Sequence, residues 1–529
     1  MPTQVSQTQI ADAEASAQGF SGGLNLRDAI SLLQPNELSK GENVVLEERG
    51  GVSKRSGCLS KGTFGAGADR ILSMYTFYRG ASVPQMLIHT SAGTLYYTAD
   101  PNASPIVWTQ ITTGLSASVP FSFETFNNKC YFSNGVDSYA AWDGSTYTTF
   151  PSAPKGRYLR LYRDAMWVSG IAGAPDRVYS SDPGNPESFS VSSWVDIAHG
   201  DGDQITALGT DGTFLICFKR RRTMHIYDPT TFANKVVDFE KGCESHFSVI
   251  QFESSTYFFS RRGICEYLGD SPSRYLSYKL DPLWDERIIN LNVLDKVTSY
   301  VTGNRIGWAV PEVGSAVPSF QIEYYPRLST RSGEDTPSIY GETRGPFMIQ
   351  RMPTMCFAGY RSGSSDHLFA AHNAANKVLQ AFTSGQGTDD GATFQGMAET
   401  ALWDFAAKDR VKYLRRLRLL GRGKFQIQVK RNYQSAIYKS YAADLTQSAD
   451  LWSLSDQWGV GVWGPDSNIK SVRIDTDIYG RTFILRIVDA ETSTATRPIS
   501  VGSSDYATLL GAWSLLDLTL ESTILGVRE

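Results

Sequence analysis

The sequence predicts an all-β protein: a β-propeller of about six blades carrying a helical insertion, followed by a C-terminal β-sandwich or barrel. Three observations carry that prediction. Residues 157–227 hold two consecutive modules of one design, RYLRLYRDAMWVSG with RVYSSDPGNPESF, then QITALGTDGTFLICFKRRRTMHIY. Each reads strand, tight turn, strand, loop, strand, and repeats of about 35–45 residues built this way mark propeller blades. Tyr158, Arg160 and Tyr162 alternate with Leu159 and Leu161, the period of two that buries one strand face. Beyond a Gly/Asp/Thr linker at 384–391 the strands lengthen. Phe425, Ile427 and Val429 there alternate with Gln426, Gln428 and Lys430, and several such strands without helices argue a compact β domain.

In chain order, the opening MPTQVSQTQIADAEASAQG is polar and rich in small residues. It lacks a basic segment followed by an apolar core, so it is read as a flexible arm over 1–19 rather than a secretory signal. Residues 20–65 form a strand and turn segment, with Asn36 expected to cap a helical turn over 37–40. The propeller is assigned to 66–385. Asn127-Asn128, Arg163-Asp164 and Asp211-Gly212 mark hairpin turns inside it, Asp-Gly most strongly because a tight hairpin needs positive φ. Leu283, Ile288, Leu291 and Leu294 recur near a helical period, which predicts a helix inserted at about 280–296. Residues 386–529 are the C-terminal β domain.

Composition narrows the function classes. The formal charge is −4, which argues against a dedicated DNA binder, because such proteins displace counterions with excess Lys and Arg. It leaves room for a wall past which DNA slides. No apolar run approaches the roughly 18 residues of a membrane-spanning helix. The six cysteines, Cys58, Cys130, Cys217, Cys243, Cys265 and Cys356, are scattered without Cys-x-x-Cys spacing, so zinc is not expected and the thiols read as small apolar residues.

No catalytic constellation, cofactor motif or metal cluster is expected. There is no Gly-x-Ser-x-Gly elbow, His-Glu-x-x-His or phosphate-cradling glycine loop. Ser180-Ser181-Asp182-Pro183-Gly184 begins like the Asp-box turn of sialidase propellers, but Glu187 stands where that turn places an aromatic, and Phe189 comes two residues late. Two basic sets remain. Lys219, Arg220, Arg221 and Arg222 form the densest run and are a candidate phosphate or partner contact at a hairpin end. Arg415, Arg416 and Arg418 lie on a strand, with Arg415 and Arg416 pointing to opposite faces. They are assigned, with Trp284 and Arg287 of the insertion, to inter-subunit contact.

The opening GGLNLRDAISLLQPNELSKGENVVLEERGGVSKRSG, followed by YFSNGVDSYAAWDG, RVYSSDPGNPESF, GDGDQITAL with FLICFKRRR, YFFSRRGICEY and DFAAKDRVKYLRRLRL, resembles the tail nozzle (tail tubular) proteins of short-tailed bacteriophages. The resemblance covers most of residues 20–430. It implies a structural virion protein made in the bacterial host cytoplasm and located in the tail. It further implies a homo-oligomeric ring, a hexamer, forming the distal DNA-exit channel below an adaptor ring and beside tail fibres or spikes. Genomic DNA would pass without sequence-specific binding. Two other classes stay open: a receptor- or glycan-binding propeller using Trp142 and Tyr147, and a propeller glycoside hydrolase.

Overall fold

The computed structural model describes residues 11–17, 19–48, 50–65, 67, 69–80, 83–329, 345–362, 365–445, 470–489 and 514–524. Four-stranded antiparallel meanders succeed one another along the chain. Six are separate sheets, over 71–112, 122–149, 158–196, 205–238, 250–275 and 354–381, the last taking its fourth strand from Leu59–Thr63. Between the fifth and the last, Thr298–Thr302, Arg305–Val310, Phe320–Tyr324 and Phe347–Gln350 form a further meander, which continues into a 15-stranded sheet. The all-β propeller class is thus the observed one, with the extra meander completing the ring.

The first strand of each meander is the inner one. Ile71–Phe77 touches both Ser122–Phe126 and Thr354–Ser362, while Tyr158–Tyr162 touches Ser122–Phe126 and Ile205–Thr210. Thr298–Thr302 touches Ile250–Phe252 and Thr354–Ser362, and the short 3-10 turn His246–Ser248 fills the gap beside Ile205–Thr210. The ring closes because the N-terminal strand pairs with the last blade, Leu379 opposite Ser60 and Gln380 opposite Leu59. Leu59–Thr63 precedes the first blade in the chain and belongs to the last one in space, so the two blades are joined covalently as well as by packing.

Turn chemistry explains the meanders. Asn127 and Asn128 have φ of 46° and 61°, and Arg163 and Asp164 46° and 57°, the left-handed pair that matches hairpin twist. The Asp211-Gly212 turn is wider, because Thr210 pairs with Leu215. Asp211 Oδ1 accepts the N–H groups of Thr213 and Phe214 at 2.8 and 2.7 Å, so the aspartate closes a four-residue loop rather than a two-residue one.

The inserted helix is one turn, Pro282–Asp285, between the 3-10 turns Tyr278–Leu280 and Leu294–Lys296. Leu283, Trp284 and Leu294 are buried, so the apolar spacing reflects packing over a blade rather than a long helix. The turn expected after Asn36 is instead the strand Glu37–Glu42, which pairs with Gly23–Leu24 and with Met397–Thr400. Sheet pairing on both sides outweighs a local capping preference. The flexible arm is corrected as well: Ala11–Ala17 is a strand on the chain's own Ser514–Ile524, Ala11 opposite Ile524 and Ala17 opposite Leu518. Residues 1–10 of that arm lie outside the described residues.

The C-terminal strands surround one 20-residue strand, Lys412–Arg431. The alternating residues Phe425 to Lys430 are thus the second half of a strand that begins at Lys412. Its first half pairs with Lys470–Gly480 and Ser514–Ile524, its second with Lys439–Leu445 and Phe483–Asp489. Gly421 and Gly423 sit at the change of partners, and Gly423 has φ +86°. A strand that switches sheets in this way makes a corner of a sandwich or barrel. The unit is not confined to 386–529. Glu37–Glu42, Val44–Leu46 and Val52–Lys54 belong to its sheet, and one core runs from Phe20 and Leu38 through Trp308 and Phe347 to Leu417, Ile427 and Leu485.

Candidate functional site

The segment bearing the Gly-Gly-Leu-Asn opening is the joint between the two units. Gly23 has φ +66°, and a Cβ there would lie 2.9 Å from the Phe347 nitrogen, so both conformation and space select glycine. Asn25 is buried; its Oδ1 accepts the N–H groups of Arg27 and Asp28, and its Nδ2 donates to Glu37 Oε2 at 3.2 Å. Glu37 Oε1 in turn holds Lys279 Nζ at 2.9 Å. Arg27 pairs with Asp281 at 2.9 Å and lies over the Tyr278 ring. The insertion therefore docks on this chain's own opening segment.

At the far end of the same segment Arg55 donates to Asp389 through Nη1 at 2.8 Å and Nη2 at 2.5 Å, and through Nη2 to the Arg351 carbonyl at 2.8 Å. Its Nε donates to Asn43 Oδ1 at 3.1 Å. The Asp389 carboxylate also accepts the Cys58 N–H at 3.1 Å. Gly57 cannot carry a side chain, since a Cβ would stand 2.1 Å from the Thr388 oxygen. These contacts tie the start of the closing strand to the end of the propeller.

The basic sets are placed differently from expectation. Lys219 is withdrawn from the candidate contact, because its side chain is 0% exposed. Its Nζ bonds Asp176 at 2.8 Å, Asp201 at 2.7 Å and the Ala198 carbonyl at 3.0 Å. Burial of an ammonium demands such complete pairing. Arg222 pairs with Asp201 at 3.2 Å, whereas Arg220 and Arg221 occupy the exposed hairpin tip. Trp284 is also withdrawn: it is 6% exposed and stacked on Phe259 at 5.5 Å. Arg287 stays exposed. On the long strand a bulge between Leu414 and Arg416 shifts the register. Beyond it Arg416 and Arg418, two residues apart, share a face, where both meet Glu521, at 2.9 and 2.5 Å. The Glu521 carboxyl is held below its ordinary value by Arg416 first, with Arg418 and Arg415 adding to it. These charges are thus engaged within the chain.

Trp142, offered by the sequence for stacking on sugars, is buried against Tyr97 and donates through Nε1 to Gln85 at 2.9 Å. The Asp-box-like turn is structural: Asp182 accepts Ser188 Oγ at 2.6 Å, and Phe189 packs edge-on to Tyr139. Among the described residues no group of three or more His, Cys, Asp or Glu could hold a metal ion.

A cavity of about 430 Å³ lies where the inner strands meet, lined by Met74, Phe121, Phe123, Val249 and Met355 with Glu124 and Arg160. Arg160 donates to Glu124 at 3.0 Å. At this centre one histidine links four blades. The Leu208 N–H donates to His246 Nδ1 at 3.3 Å, which leaves Nε2–H to donate to Ser122 Oγ at 2.9 Å. Ser122 Oγ also accepts the Leu159 N–H at 3.1 Å. Burial, with Arg160 and Arg157 nearby, lowers the His246 pKa to about 3. The unfolded chain takes up that proton near pH 6.5 and the folded chain does not, so stability is present above pH 6.5 and lost as pH falls toward 3. His89, lowered by burial to about 4, adds a loss of the same sign. Urea midpoints measured from pH 7 to pH 4 are expected to fall more steeply for the wild type than for His246→Gln, which carries no titrating ring. Parallel curves would refute this role.

No protein-family model matches the chain, and no curated protein matches it. Solved structures do. BBS1N in complex with ARL6DN is similar at 11% identity and a TM-score of 0.39, over 62% of this chain and 98% of that one. YCF48 bound to D1 peptide is similar at 13% identity and a TM-score of 0.38, over 63% and 96%. The extracellular domain of BT4673 from B. thetaiotaomicron is similar at 9% identity and a TM-score of 0.40, over 79% of this chain and 59% of that one. The fold class follows from the strand pairing itself.

Proposed function

We propose that this chain is a structural subunit of the tail nozzle of a short-tailed bacteriophage, assembling as a closed ring around the path of the ejected DNA. One observation carries the reading. The residues that resemble the nozzle family's opening, Gly23, Asn25, Glu37 and Arg55, weld the propeller to the C-terminal β domain. A ring built from one repeated heterologous contact needs subunits that keep their two faces at a fixed angle, and a shared core with a continuous sheet supplies that stiffness.

On this reading DNA runs between subunits and not along the propeller axis. The axial cavity of about 430 Å³ is lined by side chains of the inner strands, whereas a duplex has a major groove alone about 12 Å wide. The adaptor ring, fibres or spikes, the hexameric count and the virion location belong to the same proposal.

Negative-stain imaging of the purified chain, together with mass spectrometry and gold labelling of purified virions, tests it. Closed rings with an open lumen and label at the distal tail tip are expected. Absence of the chain from virions would end the proposal, and monomers that fail to join tails would do the same.

A further inference from the structure

Three arginines from different blades line a hollow of about 270 Å³ on the propeller face where the inner strands begin. Arg157 precedes the strand Tyr158–Tyr162, Arg220 tips the hairpin after Leu215–Lys219, and Arg261 tips the one after Ser255–Ser260. Thr206, Gln204 and Asn292 add polar groups to the walls. Two carboxylates share the space, Glu244 and Asp295.

These guanidinium groups are poorly partnered compared with others in the molecule. Arg157 stands 3.6 Å from Asp295, and Arg261 stands 3.8 Å from Glu244 and donates through Nη1 to the Leu291 carbonyl only at 3.4 Å. Charge-assisted hydrogen bonds are about 2.7–2.9 Å long, as in Arg177 with Asp196 at 2.8 Å or Arg416 with Glu521 at 2.9 Å. Arg220 makes no ion pair among the described residues, and the Arg157 Nε atom is buried without a hydrogen-bond partner. Burial also pushes the Glu244 carboxyl above its ordinary value, against the pull of Arg261 and Arg220. Three rigid donor forks facing one space, two of them at a distance from their carboxylates and one with none, are arranged for an oxyanion from outside.

We propose that the hollow bounded by Arg157, Arg220 and Arg261 binds a phosphate group, either a free phosphate or a phosphodiester of a nucleic-acid backbone. Phosphate presents several oxygens at once, so it engages more than one guanidinium where a single carboxylate engages one fork. The site differs from the basic hairpin read in the sequence. It recruits Arg157 and Arg261, which lie 63 and 41 residues from Arg220, and it excludes Lys219, which is consumed by Asp176 and Asp201. The inference stands apart from the nozzle reading, since a phosphate site on a blade face would be compatible with any role of the propeller.

Titration calorimetry of the full chain at fixed ionic strength tests it, with inorganic phosphate in one arm and a short DNA duplex in the other, each against chloride. Saturable binding in at least one arm is expected. The double variant Arg220→Gln/Arg261→Gln, whose side chains lie at exposed tips, should weaken it at least about 10-fold, as loss of charged hydrogen bonds requires. Arg361→Gln, on a distant blade, should leave it unchanged. Competition of phosphate with the duplex assigns the ligand to the backbone, and phosphate binding without duplex binding assigns it to the free ion. Absence of saturable binding in both arms overturns the proposal, and so does binding that the double variant leaves intact. Neither outcome bears on ring formation.

Discussion

Replacing Glu323 with Leu is expected to cost about 3–5 kcal/mol of stability, the penalty for removing one partner of a buried ion pair. Glu323 is 0% exposed in the meander that joins the propeller to the C-terminal sheet. The Tyr300 hydroxyl donates to Oε1 at 3.0 Å; Tyr325 and Gln350 donate to Oε2 at 3.1 and 2.9 Å. The Arg305 guanidinium stands 3.1 Å from Oε1 and lies against the Phe382 ring. Burial raises both tyrosine pKa values, so these hydroxyls keep their protons and remain donors. Leucine would leave an arginine, two phenols and an amide without their common acceptor. The double variant Glu323→Leu/Arg305→Met should recover part of the loss, because no lone charge then stays buried. Urea unfolding of both variants measures this. A double variant less stable than the single one would show that Arg305 is held by its packing rather than by Glu323.

That network marks where reading the sequence stops. Alternation of apolar and polar residues identified most strands, and paired Asn or Arg-Asp residues identified the hairpins, because both signals are local. The same alternation says which face is buried without naming the partner strand. Leu59–Thr63 reads weakly, being mostly polar and only partly buried, yet it closes the ring through pairing with residues more than 300 positions away. Lys219 looked like part of an exposed basic run, and only the fold brings Asp176 and Asp201 onto it. The arginines at 416 and 418 gave no sign of their partner Glu521, which stands about 100 positions away on another strand. A histidine flanked by Ser245 and Phe247 carried no hint of its place at the axis. What could have been found is the glycine spacing at Gly22-Gly23 and Gly57, since glycines inside strand segments signal close backbone approach.

The second large effect is expected at Arg55, where charge alone should prove insufficient. Arg55→Lys keeps the cation but cannot reproduce a fork that spans both Asp389 oxygens, Asn43 and the Arg351 carbonyl; losing two or more charged hydrogen bonds from a buried side chain costs at least about 2 kcal/mol. The loss should be local in origin. Arg55 fixes the chain between Val52–Lys54, which belongs to the C-terminal sheet, and Leu59–Thr63, which closes the propeller. Amide hydrogen exchange should therefore quicken about 30-fold or more in 59–63 and 377–381, following the tenfold per 1.4 kcal/mol relation. Leu215–Lys219, the second strand of the fourth blade, should keep its protection. Uniform loosening across all blades would instead place Arg55 in a globally cooperative unit, and unchanged exchange would make the bidentate pair dispensable. If closure does loosen selectively, the same variant separates stiffness from fold: a subunit with intact blades and an unfastened seam should still fold, and under the proposed nozzle reading it should assemble less well than the wild type.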